Sequence, residues 1–247
     1  MSFSSPKSYG DSPVTGAKKT FLKPTAGNAV EFLRRGYTFR ELFFKALGLK
    51  VYSKLVSYAR YRFFSRGAGV DIDHRAVIDG SRYIALGSGI FLQRGAWLSV
   101  PLFDLKNVEP RPYLRIGDDT RIGANCTIAA VTQVDIGRGV LFGPNVLVVD
   151  HAHAYDDVNL PVSSQGVESN GGIVIEDNCW LGANSIIYSA NGPLRIGRNS
   201  VVAGNSFVRE DVPPYTVVAG NPAKPVRQYD FESRAWRTVT QKDQPRG

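Results

Sequence analysis

Residues 178–227 read NCWLGANSIIYSANGPLRIGRNSVVAGNSFVREDVPPYTVVAGNPAKPVR, and this stretch decides the fold. Aliphatic residues recur in it every six positions, with one longer interval: Leu181, Ile187, Ile196, Val202 and Val208. A sandwich of short strands would place its turns every 8–12 residues instead. A sustained six-residue period therefore predicts short strands that wind into a repeating coil.

The same period extends toward the N-terminus. Fifteen aliphatic positions form five sets of three: Leu86, Leu92, Leu98; Ile116, Ile122, Ile128; Ile136, Phe142, Val148; Ile175, Leu181, Ile187; Ile196, Val202, Val208. Every irregular interval falls between sets. Three strands per coil would make a triangular prism with the aliphatic residues inside and all insertions on one edge. We predict a mainly β fold, a parallel β-helix of about five 18-residue coils.

Compact residues stand where the corners of such a prism would lie. Glycine follows seven of the fifteen aliphatic positions, and it tolerates backbone angles that a Cβ forbids. Small or β-branched residues often come four positions after the aliphatic one: Thr120, Cys126, Val146, Cys179, Ser185, Ser200 and Ser206. The two cysteines fit these corners as structural residues. They are too few for a disulfide scaffold, which indicates a reducing compartment.

The positive charge of the 247-residue chain is confined to its beginning. The net charge is +8, but residues 1–66 carry +10 and residues 67–247 carry −2. A basic segment ahead of a slightly acidic body argues against nucleic-acid binding by the protein as a whole. The chain contains no run of about 18 apolar residues and no apolar core of a secretory signal near its start, so we expect a cytoplasmic protein.

Composition divides the chain into four parts. Residues 1–27 are rich in Ser, Gly, Pro, Lys and Thr and predict a disordered tail. Residues 28–66 are dense in Phe, Leu, Tyr, Lys and Arg and predict a basic amphipathic helical segment. Residues 67–228 hold the β-helix, with a candidate active-site loop at 149–172, and residues 229–247 form a short C-terminal tail.

Several motifs resemble those of the hexapeptide-repeat acyltransferases. They are the Asn178–Gly182 run NCWLG, then VVAGNS, DVP and GNPAK, all within residues 178–224. The resemblance is closest to the maltose and galactoside acetyltransferase branch. The DHAH motif and the YDFESRAW tail narrow it to O-acetyltransferases of lipopolysaccharide and exopolysaccharide biosynthesis. It covers about residues 70–237 and implies a left-handed β-helix, acetyl-coenzyme A as donor, and a homotrimer with the donor in a groove between subunits.

Two of the three histidines begin the longest insertion. His151 and His153 follow Val148, whereas His74 precedes the first recognisable repeat. Histidine suits proton removal from a hydroxyl near neutral pH. The resemblance to the sugar acetyltransferases implies that the essential histidine lies eight residues after the Asn of a Gly/Ala-Pro-Asn corner. That corner is Gly143-Pro144-Asn145 here, and the residue eight positions after Asn145 is His153. We predict His153 as general base and His151 as a neighbour that orients it or binds substrate; the reverse assignment stays open.

Acidic residues of the same insertion are candidates for supporting roles. Asp150, Asp156 and Asp157 could fix the imidazole tautomer, and Asp150 and Asp156 are also candidates for substrate binding. A His-x-His pair can ligate zinc, as in the related γ-type carbonic anhydrases. Catalytic zinc normally takes three protein ligands, and the third histidine is missing from the repeats, so no metal is expected.

The resemblance also implies donor-binding residues. Ala183 and Gly204 would contact the pantetheine arm through their backbones, and Arg209, Lys224 and Arg227 would lie near the phosphates. Two departures from the family stand out. The usual Thr-Lys-Asp is Arg209-Glu210-Asp211 here, which moves the positive charge by one residue. The turn SANGPLR, residues 189–195, is three residues longer than usual and could reshape one wall of the groove.

The function that follows is direct acetyl transfer from acetyl-coenzyme A to a sugar hydroxyl of a cell-envelope polysaccharide or exopolysaccharide, or of its lipid-linked precursor. Alternatives are a γ-carbonic-anhydrase-like metalloenzyme, a small-molecule or xenobiotic acetyltransferase, and a catalytically inactive scaffold. The basic segment 28–66 could contact an anionic membrane beside a membrane-bound glycan, or cap the open end of the β-helix.

Overall fold

The structure, a computed structural model, describes residues 61–101 and 108–239. The segments predicted as a disordered tail (1–27) and most of the helical segment (28–66) lie outside these residues. So do the last residues of the C-terminal tail. Within the described residues the regular structure is almost entirely β, with two short 3₁₀ turns at Ser81–Tyr83 and Val162–Ser164. None of these residues belongs to a helix long and apolar enough to span a bilayer.

Within residues 61–101 and 108–239, eighteen short strands wind into six coils of a left-handed β-helix. The first three coils are β1 Ser65–Arg66, β2 Asp71–Ile72, β3 Val77–Asp79; β4 Ile84–Leu86, β5 Phe91–Leu92, β6 Trp97–Ser99; and β7 Leu114–Ile116, β8 Arg121–Ile122, β9 Thr127–Ala129. The next three are β10 Val134–Ile136, β11 Leu141–Phe142, β12 Leu147–Val149; β15 Ile173–Ile175, β16 Trp180–Leu181, β17 Ile186–Tyr188; and β18 Leu194–Ile196, β19 Val201–Val202, β20 Phe207–Val208.

Equivalent strands of successive coils pair in parallel and make the three faces of a prism. Face A is β1-β4-β7-β10-β15-β18, face C is β3-β6-β9-β12-β17-β20, and face B begins with β2-β5-β8-β11-β16-β19. The pairing keeps the hexapeptide register, so that Phe142 lies over Leu181 and Val148 lies over Ile187. The aliphatic residues are buried inside the prism, as the sequence predicts.

All insertions lie at one edge, which confirms the prediction from the intervals between sets. We call the edge between a face-C strand and the next face-A strand the insertion corner. It holds the described residues 100–101 and 108–113, and the segments 130–133, 150–172 and 189–193. The other two corners keep the short turns that the six-residue period requires.

The described residues contain one coil more than the five sets of three found in the sequence. The first coil runs from β1 to β3, and Arg66, Ile72 and Ile78 pair with Leu86, Leu92 and Leu98. Arg66 occupies the position that is aliphatic in the other coils, so the first set of three escapes a search for aliphatic residues. Strand β1 also begins two residues before the predicted boundary at 67, inside the segment predicted as helical.

The C-terminal tail is not a simple extension. Strand β21, Thr216–Gly220, adds a parallel strand to face B, and β22 (Ala223–Asp230) and β23 (Ala235–Thr238) follow antiparallel. The predicted boundary at 228 therefore falls inside β22. T-shaped ring contacts of Tyr229 with Phe231 and with Trp236 stabilise this hairpin.

An asparagine ladder runs along the corner between faces B and C. Asn125, Asn145, Asn184 and Asn205 all have left-handed backbone angles. Each side-chain amide donates to the carboxamide oxygen of the next, at 3.3, 2.9 and 3.1 Å. Asparagine tolerates this conformation better than other side chains, and the stacked amides help fix the register of the coils.

Candidate active site at the insertion corner

The longest insertion leaves face C after β12 and folds into a hairpin of its own. Strands β13, Ala152–His153, and β14, Val167–Glu168, pair antiparallel, with His153 opposite Val167. The chain then returns to the prism at β15. Both histidines of the DHAH motif therefore lie at the point where this loop leaves a rigid coil, a usual position for functional side chains.

Asp150 anchors the start of the loop. Its side chain is completely buried, and its two carboxylate oxygens accept the backbone N–H groups of Val131, Thr132 and Gln133, each at 2.8 Å. A buried carboxylate is costly unless hydrogen bonds of this kind compensate for lost water. The prediction that Asp150 binds substrate is wrong, because no part of its side chain is accessible. It instead ties the loop to the insertion corner of the preceding coil.

His151 is the partner of this carboxylate. Its Nδ1 lies 3.1 Å from Oδ1 of Asp150, and its side chain is only 15% exposed. A proton on Nδ1 lets the ring donate to Asp150, which fixes both its orientation and its tautomer. Of the three aspartates suggested for this role, Asp150 is the one whose carboxylate contacts an imidazole, and that imidazole belongs to His151.

His153 faces outward from strand β13. Its side chain is exposed, and it has no hydrogen-bond partner among residues 61–101 and 108–239. Asp156 is exposed as well, whereas Asp157 caps a local turn by accepting the backbone N–H of Asn159 at 2.9 Å. The backbone of His153 is paired within the hairpin while its ring is exposed, so an acceptor hydroxyl can reach the imidazole.

A second tie closes the far end of the loop. The Ser169 hydroxyl donates to the backbone carbonyl of Asp150 at 2.8 Å and also contacts the hydroxyl of Thr132. Sequence reasoning missed Ser169 and Thr132. The eight-residue interval between Ile128 and Ile136 marks an unusual turn around Thr132, but nothing in the sequence shows which loop residue it meets.

The two predicted pantetheine contacts lie together at the corner between faces B and C. The backbone N–H of Asn205, next to Gly204, donates to the carbonyl of Ala183 at 2.9 Å, so the two residues stack in successive coils. A Cβ built on Gly204 would lie 3.1 Å from that carbonyl oxygen. Because neither residue carries a long side chain, the backbone is open here to a thin, extended ligand.

The three predicted phosphate-binding residues lie on two different parts of the chain. Lys224 and Arg227 lie on β22 of face B, whereas Arg209 follows β20 at the insertion corner. The Lys224 ammonium pairs with Glu210 at 2.9 Å and holds the pKa of that carboxylate below its usual value. Arg209 and the long turn SANGPLR come together, and residues 188–193 and Arg209 line a pocket of about 290 Å³.

Comparison with known proteins identifies the family to which these repeats belong. Residues 113–148 and 172–210 match the family model described as the hexapeptide repeat of succinyl-transferase. The unmatched segment between them is the histidine loop, and the matched residues are the coils on either side of it. The chain belongs to the hexapeptide-repeat acetyltransferase family.

Named relatives of this hexapeptide-repeat protein include sugar acetyltransferases. WbbJ of Escherichia coli K12 is named as a lipopolysaccharide biosynthesis O-acetyl transferase. It is 32% identical to this protein over 51% of this chain and 66% of its own. The galactoside O-acetyltransferase of E. coli K12 is 34% identical over 49% of this chain and 60% of its own. The chain thus spans about half to two thirds of the length of such relatives.

A solved structure supports the same assignment. The hexapeptide-repeat containing acetyltransferase VCA0836 of Vibrio cholerae, crystallised with acetyl-coenzyme A, is 26% identical. The similarity covers 78% of this chain and 91% of VCA0836, with a TM-score of 0.50.

The cysteines of this family member are unsuited to act as nucleophiles. Cys126 and Cys179 are buried at prism corners, and burial raises the pKa of both thiols, that of Cys179 to about 11. Since the thiolate is the reactive form, both are inert near neutral pH.

A metal centre finds no support in the geometry. The described part of the chain brings together no group of three or more His, Cys, Asp or Glu side chains able to hold an ion. His74 lies beside Asp73 in the first coil, three coils before the loop that carries His151.

Proposed function

We propose that this protein transfers the acetyl group of acetyl-coenzyme A to a sugar hydroxyl of a cell-envelope polysaccharide or exopolysaccharide, or of its lipid-linked precursor. The observation that carries the proposal is the histidine loop, anchored through Asp150 to a rigid coil of the hexapeptide family. The names of WbbJ and of the galactoside acetyltransferase support a sugar hydroxyl as acceptor. The complex of VCA0836 with acetyl-coenzyme A supports the donor.

For the donor, we assign the backbone strip at Ala183 and Gly204 to the pantetheine arm. The exposed side chains of Lys224 and Arg227 on β22 are available for its phosphates. The ion pair of Lys224 with Glu210 is solvent-exposed, so a phosphate can displace the carboxylate at little cost.

His153 is the general base in this mechanism. It removes the proton of the acceptor hydroxyl as the oxygen attacks the carbonyl carbon of the thioester. The tetrahedral intermediate then expels the sulfur of coenzyme A, and the imidazolium returns its proton to the leaving thiolate. The exposed ring of His153 supports this role, because a base must reach the proton that it removes.

His151 has the supporting role. Its ring is mostly buried and engaged with Asp150, which suits a residue that fixes the path of the chain into β13. Catalytic histidines that act as bases are also commonly oriented by a buried aspartate. The contact with Asp150 would therefore suit His151 as the base too, and the test must compare the two histidines directly.

The acceptor assay tests the function as a whole. Purified protein is incubated with acetyl-coenzyme A and a panel of sugars and lipid-linked oligosaccharides. Released thiol is titrated, and the acetyl ester on the product is located by mass spectrometry. Acceptor-dependent thiol release with an O-acetylated sugar is expected. Thiol release that no sugar increases would contradict the proposal.

The proposed assembly is a homotrimer with the donor between subunits. Exposed apolar side chains on the outer surfaces of faces B and C support burial against another copy, among them Trp97, Leu141 and Trp180. Sedimentation analysis should give three times the chain mass, and Trp180→Arg should shift it toward the monomer. A monomeric wild type would contradict this assembly.

The basic segment 28–66 is proposed to hold the protein at the cytoplasmic face of a membrane. Most of this segment lies outside the described residues, and the support is its charge and its aromatic content. Co-sedimentation with vesicles that contain anionic lipid is expected to require residues 1–60. Equal binding after their deletion would contradict this location.

A further inference from the structure

The pocket at residues 188–193 and Arg209 lies beside the histidine loop. The backbone N–H of Ser189 donates to the carbonyl of Val149 at 3.1 Å. The backbone N–H of Asn170 donates to the carbonyl of Ala190 at 2.9 Å. The turn that forms the pocket is therefore hydrogen-bonded to both ends of the loop that carries His151 and His153. We call this cavity the 188–193 pocket.

Arg209 gives this pocket a positive charge that no direct ion pair engages within the described ranges. Glu210 forms its direct ion pair with Lys224 at 2.9 Å, and Arg209 adds a weaker, longer-range contribution to the lowered pKa of that carboxylate. Asp211 accepts the backbone N–H of Arg195 at 2.8 Å. Across the described ranges Arg209 forms no ion pair of its own. A guanidinium that is exposed and unpaired is suited to bind a carboxylate or a phosphate through two parallel hydrogen bonds.

The rest of the lining suits a sugar. Tyr188 is half-buried with its ring tilted against Phe207 at 6.1 Å between centroids, and Asn191 is exposed. An aromatic ring offers a flat apolar surface, and a carboxamide can both donate to and accept from hydroxyls. At about 290 Å³ the cavity is at the small end of ligand pockets, in keeping with a single sugar unit.

We propose that the 188–193 pocket binds an anionic sugar unit of the acceptor, with Arg209 contacting its carboxylate or phosphate. The inference rests on the proposed function and names the acceptor class: an acidic or phosphorylated sugar next to, or carrying, the hydroxyl that receives the acetyl group. The three extra residues of the SANGPLR turn supply the pocket wall, so they act as a specificity determinant of this chain.

The phosphates of coenzyme A are the other anionic groups that the Arg209 guanidinium is suited to bind. The hydrogen bonds from Ser189 and Asn170 favour the acceptor, because they join the pocket to the loop that the acceptor hydroxyl must reach. Lys224 and Arg227, both on β22, are the residues assigned to the donor. The two sources predict different kinetic constants for an Arg209 variant.

Direct binding tests the pocket without reference to catalysis. Galacturonate and glucose 6-phosphate are titrated by NMR into full-length wild type, Arg209→Gln and Arg94→Gln, with galactose and glucose as neutral counterparts. Arg94 is exposed in the second coil at the corner between faces B and C, not at the insertion corner, and gives a matched loss of charge. The charged sugars should bind wild type and Arg94→Gln about tenfold or more tighter than the neutral ones. Arg209→Gln should lose that preference.

Turnover separates the two sources of charge. We expect Arg209→Gln to lower kcat/KM for charged acceptors about tenfold or more, with KM for acetyl-coenzyme A unchanged. A raised KM for acetyl-coenzyme A with an intact acceptor preference would assign Arg209 to the donor and overturn the inference. Equal binding of charged and neutral sugars to wild type would overturn it as well. Selective binding without any acetyl transfer would contradict the proposed function and leave the pocket standing.

Discussion

The carboxylate of Asp150 lies 3.1 Å from Nδ1 of His151 while it also receives three backbone N–H groups from the preceding coil. One buried side chain thus connects the first histidine of the loop to the rigid part of the β-helix. The Ser169 hydroxyl binds the carbonyl of the same residue, so that both ends of the loop converge on Asp150. This arrangement explains how an insertion of more than twenty residues can present His153 reproducibly.

Asp150→Asn should destabilise the protein and slow the reaction. The amide replaces one accepting oxygen with a donor that faces backbone N–H groups, so we expect the free energy of unfolding to fall by about 1–3 kcal/mol. Because the loop loses its anchor, kcat should fall while KM for acetyl-coenzyme A stays near the wild-type value. Urea denaturation and steady-state kinetics measure both effects. Asp156→Asn, at an exposed position of the same loop, is the matched control and should keep wild-type stability.

Gly204→Val should weaken donor binding with little effect on the fold. The new side chain would cover the backbone strip at Ala183, and its Cβ, 3.1 Å from the Ala183 carbonyl, needs only a small adjustment. We expect KM for acetyl-coenzyme A to rise about tenfold or more, a loss of over ~1.4 kcal/mol of binding. Calorimetric titration with coenzyme A gives the same quantity directly. An unchanged affinity would remove this strip from the donor site.

Gly182→Ala, in the coil before that of Gly204, should instead destabilise the fold. A Cβ there would lie 2.5 Å from the backbone nitrogen of Gly204, and both atoms belong to fixed strands and turns. The coils would have to separate, so the free energy of unfolding should fall by about 2–4 kcal/mol. Thermal denaturation measures the change, and a wild-type melting temperature would show that the coils are packed less tightly than described.

Asn184→Ala should destabilise the asparagine ladder. The residue has φ of +59°, accepts a hydrogen bond from the side-chain amide of Asn145 and donates one to the carboxamide oxygen of Asn205. Alanine loses both bonds and tolerates the left-handed backbone less well, so we expect a loss of about 1–2 kcal/mol of unfolding free energy. Asn184→Gly keeps the backbone freedom and should lose less. Equal losses for the two variants would mean that the backbone conformation contributes nothing.

Cys179 should resist alkylation until the solution is strongly alkaline. Burial raises the pKa of its thiol from 9.0 to about 11 in the folded state, so the reactive thiolate is scarce at pH 8. The stability linked to this shift is fully present below pH 9 and is lost as the pH rises through about 11. Iodoacetamide labelling from pH 8 to 11, read by mass spectrometry at each cysteine, should be slow until the upper end of this range. Fast labelling of Cys179 at pH 8 without denaturant would contradict its burial.

Much of the fold could be predicted from the sequence because the hexapeptide period reports directly on a solenoid. The first coil was not predicted because Arg66 occupies a position that is aliphatic in the other coils. Its pairing with Leu86, which places it in the coil, is visible only in the structure. The C-terminal hairpin escaped because its stabilising contacts, such as Tyr229 with Trp236, carry no period.

The site was predictable only in part. The insertion that carries His151 and His153 is visible as a break in the period, but the burial of Asp150 depends on N–H groups of Val131 to Gln133, which any sequence would supply. A contact with the backbone leaves no mark on residue identity. For the same reason the tie between Thr132 and Ser169, and the closeness of Arg209 to the SANGPLR turn, became apparent only in the structure.

The most direct test of the central claim is the turnover number for acetyl-coenzyme A with a sugar acceptor, measured for wild type, His153→Ala and His151→Ala. We predict that His153→Ala lowers kcat by about 10²–10⁴ with an unchanged melting temperature. We predict a smaller loss of kcat for His151→Ala, together with a lower melting temperature. Near-wild-type turnover by His153→Ala, or a larger loss of kcat for His151→Ala, would contradict His153 as the base.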